Sequence, residues 1–238
     1  MQMSKFSHSQ RIQNRKGFTL VEIAIVLVII GLLLGGILKG QEMITQAKIK
    51  NVVNDFNGIT AAINSYQDRY KALPGDDLNA ATRWQNPLAI SGDGNGQFCT
   101  GACPSPVVAP DLYNNQVTTT AGAPEVNLFW WHLRLAGFVG GSTVAGAGSS
   151  ASPPANAANG IMGVQTTGMG FTSNIVCSSN LPDKIAIAVD TQMDDGTSIS
   201  GQLRGLVQTG PSPVTGNTVP TVAYAETGTN QYLLCKNL

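Results

Sequence analysis

Residues 16–36 read KGFTLVEIAIVLVIIGLLLGG, and one acid, Glu22, interrupts a run otherwise apolar enough to cross a bilayer. The run from 18 to 38 is 21 residues long. At about 1.5 Å per residue a helix of that length spans about 31 Å, which matches a hydrocarbon core. Lys5, Arg11, Arg15 and Lys16 precede it without an accompanying acid, and the run closes on Lys39-Gly40-Gln41-Glu42. A secretory signal has a shorter apolar region followed by a small-residue cleavage site, and no such site follows Leu38. The basic flank predicts a cytoplasmic N-terminus with the rest of the chain outside. Within this frame Glu22 is expensive. A carboxylate costs about 2.5 to 3.5 kcal/mol at a helix centre and less toward an end, and no basic side chain lies inside the run to offset it.

Lys16-Gly17, then Phe18-Thr19-Leu20-Val21-Glu22, then an apolar helix resembles the type III signal of type IV prepilins and type II secretion pseudopilins. The resemblance implies that a membrane-embedded prepilin peptidase cuts between Gly17 and Phe18 and methylates the new terminus on Phe18. It also implies a partner for Glu22. The freed α-amine is cationic near neutral pH, and Glu22 lies where it can pair with that amine in its own chain or in a neighbouring subunit. The family reading is the second, in which the pair draws a subunit into register as it leaves the membrane.

Beyond Lys39, the residues Ile49, Val52, Phe56, Ile59, Ile63, Tyr66 and Tyr70 recur at steps of three or four, the signature of one helical stripe. A continuous helix from 18 to 70 is therefore expected, ended by Leu73-Pro74-Gly75. Gly31 and Gly35 lie in the apolar half at a spacing that suits close helix packing. Glycines there also allow local melting, which in pilins a proline often assists; no proline lies between Phe18 and Leu73. The expected organisation is a leader at 1–17, a membrane and filament-core helix at 18–38, an amphipathic helix at 39–72 and a head at 73–238.

The fold class this implies is α+β and pilin-like: a long N-terminal helix packed on a C-terminal antiparallel sheet. In the head, residues 161–166, 184–190, 201–208 and 232–235 read as strands, with Ile185-Ala186-Ile187-Ala188-Val189 the best of them. Residues 125–138 read as a helix, with Leu128, Trp131, Leu135 and Phe138 at core spacing. Residues 140–160 are too poor in large apolar side chains to pack and read as a flexible loop. The stretches LPGDD at 73–77, FWWHLRLAGF and DTQMDDG resemble a subset of prepilin-type proteins with larger heads.

Only 12% of residues are charged, and removing the basic leader leaves a net charge of about −4. Clustered Lys and Arg are what phosphate binding draws on, so nucleic acid is not an expected partner for the bulk of the chain. Four cysteines in an exported head point to disulfides, and four allow three pairings. Cys99 and Cys103 are near enough to close a small loop, which leaves Cys177 with Cys235, a long C-terminal loop of the kind pilins commonly close. Zinc lacks support, because His8 belongs to the leader and His132 is the other histidine.

Asp93-Gly94-Asn95-Gly96 has the opening of an oxygen-rich calcium loop without its full spacing, and Asp190, Asp194 and Asp195 form a second acidic group. Asx-Gly pairs are also ordinary turn formers. Major secretion pseudopilins bind calcium in their heads, so the resemblance keeps calcium as a candidate and implies no other cofactor. Neither G-x-S-x-G nor H-E-x-x-H occurs, and catalysis is not expected. The expected function is a subunit of a type IV pilus or pilus-like filament, in the inner membrane as a precursor and in an extracellular or periplasmic filament afterwards. Its expected partners are the prepilin peptidase, identical and other pilin subunits, an inner-membrane assembly platform and, before assembly, membrane lipid. A type II secretion pseudopilin is the first alternative, and a signal-anchored periplasmic binding domain or adhesin the second.

Overall fold

The computed structural model describes residues 17–85, 89–99, 101–115, 123–144 and 150–238. Its first element is one helix, α1 (Leu20–Tyr70), whose two halves have different surroundings. Residues 18–38 are exposed throughout. From Ile49 onward one stripe is buried: Ile49, Val52, Phe56, Ile59, Ala62, Ile63 and Tyr66. The intervening Asn51, Asn54, Asn57 and Asn64 stay at the surface. By internal contacts the chain divides into Met1–Ile44 and Thr45–Leu238.

The helix stops at Tyr70, before the Leu73-Pro74-Gly75 breaker. Lys71 takes a left-handed conformation, φ +56°, the cap usually given to glycine, and its N–H bonds back to the Gln67 carbonyl at 2.8 Å. After a single turn, α2 (Ala80–Arg83), comes α3 (Glu125–Leu135), buried from Glu125 to Arg134. Gly137 at φ +78° closes α3, with its N–H on the Arg134 carbonyl at 3.1 Å and the Phe138 N–H on the Leu133 carbonyl at 3.0 Å. That pair of bonds is a Schellman cap.

Four strands follow: β1 (Met162–Gly168), β2 (Phe171–Pro182), β3 (Leu203–Val207) and β4 (Gln231–Asn237). They form one antiparallel sheet in the order β1-β2-β4-β3. Side chains alternate across it. Val164, Val176, Tyr232 and Leu234 join the core that holds the α1 stripe and α3. Ile175, Cys177, Leu233 and Cys235 face the other way, under Tyr113. Both faces are thus covered, and this is an α+β, pilin-like arrangement of a long helix and a small antiparallel sheet.

The expected strand at 184–190 is instead a helix, α4 (Asp183–Met193). Ile-Ala alternation fits a strand, yet the residues buried are Asp183, Ile185, Ala186, Val189 and Asp190, one helical face, with Pro182 at the N-cap. The Asp183 carboxylate fixes its start by accepting the N–H groups of Thr227 at 2.7 Å and Gly228 at 2.6 Å. Conversely β2 was not expected as a strand. Its Ser178 and Ser179 are buried, and the Asn156 side-chain amide bonds the Ser178 hydroxyl at 2.9 Å and the Ser179 carbonyl at 2.6 Å.

The low-complexity stretch expected as a loop at 140–160 has residues 145–149 outside the described set. Its second part is anchored by polar bonds that stand in for apolar packing. Arg134 donates to the carbonyls of Ser150 at 2.7 Å and Ser152 at 2.9 Å, and Asn156 Oδ1 accepts from Gly160 at 2.7 Å. Two disulfides complete the head. Cys177 and Cys235 sit directly opposite each other on β2 and β4 with Cα atoms 4.0 Å apart, and Cys99 joins Cys103 at 5.3 Å.

Candidate functional site

Two groupings of functional side chains can be built from these elements, one at the start of α1 and one in the head. At the start of α1, Thr19 is the N-cap and Glu22 the third helical residue. The Glu22 Oε2 accepts from the Thr19 N–H at 2.8 Å and its hydroxyl at 2.9 Å, while the Glu22 N–H reaches back to the Thr19 Oγ1 at 3.2 Å. This is a reciprocal capping box, which satisfies amide groups that a helix start leaves unpaired. The Thr-x-x-Glu spacing is readable in the sequence, and it gives Glu22 a local role besides the counter-ion role expected of it. Both Thr19 bonds land on one oxygen, so the carboxylate keeps acceptor sites for a second partner. Of the expected processing site, Gly17 and Phe18 are described and exposed; residues 1–16 lie outside the described residues.

In the head, the turn after α1 meets the first turn of α3. Gly75 at φ +90° lies so close to α3 that an added Cβ would stand 2.6 Å from the Glu125 carbonyl oxygen and 3.0 Å from the Phe129 nitrogen. Its N–H donates to Nδ1 of His132 at 2.9 Å, and the opposite ring nitrogen lies 2.8 Å from the Ile90 carbonyl. His132 is fully buried and its pKa is pushed down to about 4, chiefly by burial. Both ring nitrogens are thus engaged in holding backbone.

The same convergence gathers three acids. Asp76, beside Gly75, accepts the N–H groups of Gly94 at 2.5 Å, Asn95 at 3.0 Å and Gly96 at 2.6 Å. The 93–96 loop therefore wraps its amides around a carboxylate. Asp93 is exposed and accepts from the N–H groups of Asn95, at 3.1 Å, and Gly101. Glu125, at the first residue of α3, is 1% exposed and accepts the Asp93 N–H at 2.9 Å through Oε1. One carboxylate oxygen from each of Asp76, Asp93 and Glu125 lies within 4.8 Å of the others. Burial, and then the charges of Asp76, Asp93 and Asp111, hold the Glu125 pKa up at about 7 against the Asp93 amide bond.

The expected calcium residues thus fare differently. Asp93 belongs to this trio. Asn95 does not: its amide group donates to the carbonyls of Cys99 at 3.0 Å and Gly101 at 2.6 Å, and its oxygen accepts from Gln97 at 2.7 Å. Asp76 and Glu125 escaped the sequence reading, since they approach Asp93 only through the fold. Asp190, Asp194 and Asp195 also come within 4.8 Å of one another. There, however, each carboxylate serves the local backbone. Asp190 takes the Tyr224 hydroxyl at 2.5 Å and the Gly196 N–H at 3.1 Å, Asp194 the N–H groups of Gln202 and, at 2.8 Å, Leu203, and Asp195 the Ser200 hydroxyl at 2.6 Å and the Thr197 N–H at 2.8 Å. Among the described residues all four cysteines are disulfide-bonded and His132 is held by backbone, so none of these side chains is poised as a nucleophile or base.

Residues 12–38 match the prokaryotic N-terminal methylation motif, the prepilin signal of type IV pilins and pseudopilins. The match covers Arg15 and Lys16 of the basic flank, the Gly17–Phe18 bond, Glu22 and the apolar run, and leaves the head outside it. No curated protein and no solved structure matches the chain.

Proposed function

We propose that this chain, which carries the prepilin signal and is by that signal of the type IV pilin or pseudopilin class, is a structural subunit of a type IV pilus or pilus-like filament. The observation that carries the reading is the methylation motif itself, placed at the start of a helix that is apolar and wholly exposed over residues 18–38. Such a helix needs lipid or other helices around it. Lipid serves before assembly, and a bundle of like helices replaces it once the subunit is extracted. An added Cβ at Gly31, Gly35 or Gly36 meets nothing within this chain, so these glycines leave a surface open for a neighbouring helix.

In this reading the prepilin peptidase cuts before Phe18 and the Phe18 amine is methylated. Glu22 pairs with the amine of a neighbouring subunit, and the head forms the filament surface. The precursor is anchored in the inner membrane by residues 18–38, with its leader in the cytoplasm. The assembly platform and other pilins are the remaining partners, and the activity is polymerisation rather than catalysis. The size of the head and the retention of Glu22 favour a pilus subunit over a tip pseudopilin.

Mass spectrometry of the mature N-terminus tests the reading. N-methyl-Phe18 is the expected terminus, and an intact Met1 or a cut elsewhere would leave a signal-anchored domain instead. Immunogold labelling then separates a surface pilus from a periplasmic secretion filament.

A further inference from the structure

We infer that Asp76, Asp93 and Glu125 form a binding site for one hard divalent cation, calcium, joining the turn after α1, the 93–96 loop and the first turn of α3. Three acids in proximity are not in themselves a site, and the trio at Asp190, Asp194 and Asp195 shows why: its carboxylates are engaged by local hydroxyl and amide donors. Glu125 is different. Its Oε2 is buried without a hydrogen-bond partner among the described residues, although the side chain is 99% shielded. A carboxylate oxygen withdrawn from water and left unbonded costs more than one that was never buried. Among the described residues no Lys or Arg forms an ion pair with any of the three acids; the basic side chains nearest in sequence to Asp76, Lys71 and Arg83, are paired with Asp68 and Asp77.

Three converging carboxyl groups, one of which keeps a buried oxygen that no donor meets, call for a cation. The span of the donors suits calcium: ligands on opposite sides of an ion bound at about 2.3 to 2.6 Å stand up to about 5 Å apart, and these oxygens lie within 4.8 Å of each other. Each carboxylate still has an acceptor site open after its amide bonds are counted, Glu125 having the most. The donor set is all oxygen. His132 is turned to Gly75 and Ile90, and the cysteines are bonded to one another, so the site offers zinc nothing it favours. The flexible coordination of calcium also tolerates an irregular loop completed by water, where magnesium demands near-octahedral order.

The test uses the full chain in detergent, stripped with chelator, with unfolding of the head followed by tryptophan fluorescence. Calcium at a hundredfold excess over its Kd should raise the midpoint by roughly 5 to 10 °C, and magnesium at the same concentration should raise it less. Glu125→Gln should abolish the calcium shift while its midpoint in chelator is no lower than that of the unsubstituted protein, since the unpaired charge is gone. Asp195→Asn, in the second acidic group, should keep the full shift. Calorimetric titration of the unsubstituted protein needs no variant, and absence of binding at millimolar calcium overturns the assignment. So does a calcium shift that survives Glu125→Gln, one lost in Asp195→Asn, or an equal response to magnesium.

Discussion

The backbone N–H of Gly75 donates to Nδ1 of His132 at 2.9 Å, and that single bond decides the chemistry of the imidazole. With Nδ1 accepting, the proton sits on Nε2 and is given to the Ile90 carbonyl at 2.8 Å. A neutral, buried histidine therefore ties the turn after α1 to the segment before the 93–96 loop. A protonated ring has no acceptor left for Gly75.

The pH dependence follows with a definite sign. Burial lowers the folded pKa of His132 to about 4, against about 6.5 in the unfolded chain. Between these values the unfolded state binds the proton more, so the contribution is full above pH 6.5 and is lost as pH falls toward 4. Glu125, held up at about 7 by burial, works in the opposite direction over an overlapping window. The histidine term is isolated by comparison with His132→Asn, which keeps an acceptor for Gly75 without titrating. In urea unfolding, the stability difference between the two proteins should shift by about 3 kcal/mol from pH 7.5 to pH 4; a constant difference would refute the neutral, buried assignment.

Gly75→Ala should destabilise the head more than most single substitutions. The position has φ +90°, and the new Cβ would meet the Glu125 carbonyl at 2.6 Å and the Phe129 backbone at 3.0 Å, neither of which belongs to a movable side chain. Backbone strain and overpacking together should cost at least about 2 kcal/mol, read as a lower urea midpoint. A midpoint within error of the parent would mean that α3 does not sit against this turn.

The two disulfides should differ in worth because they close loops of different length. Cys177 and Cys235 are 58 residues apart and Cys99 and Cys103 are 4 apart. Chain entropy gives the long loop about 4 kcal/mol and the short one about 2. Replacing each pair by alanine and measuring urea unfolding without reductant should therefore show the larger loss for the β2–β4 pair, and equal losses would refute the entropic ordering.

The parts of this architecture legible in the sequence are those where one period dominates. Steps of three and four from Ile49 to Tyr66 leave no alternative to a helix, and the apolar spacing of Leu128, Trp131 and Leu135 does the same for α3. The segment at 184–190 failed because Ile-Ala alternation satisfies either period when alanine is neutral between them. Its decisive signals were Pro182 at the cap and the Asp183 carboxylate bonded to Thr227 and Gly228, partners far along the chain. β2 was hidden by its serines and asparagines, whose partners lie on other segments: Asn156 for Ser178 and Ser179, Thr166 for Asn174 and Gln208 for Asn180, again a tertiary fact. The same holds in the acidic site: Asp93 announces itself by its glycine neighbours, while Asp76 and Glu125 reach it only through folding, from 17 and 32 residues away.

Glu22 is the residue whose two roles can be pulled apart. Its bonds to Thr19 form a capping box, a job that glutamine also performs at this helical position. Pairing with the Phe18 amine of a neighbouring subunit, as the proposed function requires, needs the charge. Glu22→Gln should therefore keep membrane insertion and the start of the helix yet reduce incorporation into filaments by more than about tenfold, as severely as Glu22→Ala, because each leaves a buried ammonium unpaired. Thr19→Ala, which breaks the cap and spares the charge, should assemble nearly as well as the parent. Quantifying each variant in sheared filaments against its membrane pool checks this. Normal assembly of Glu22→Gln alongside failure of Thr19→Ala would assign Glu22 to the cap and remove the ion pair from the assembly step.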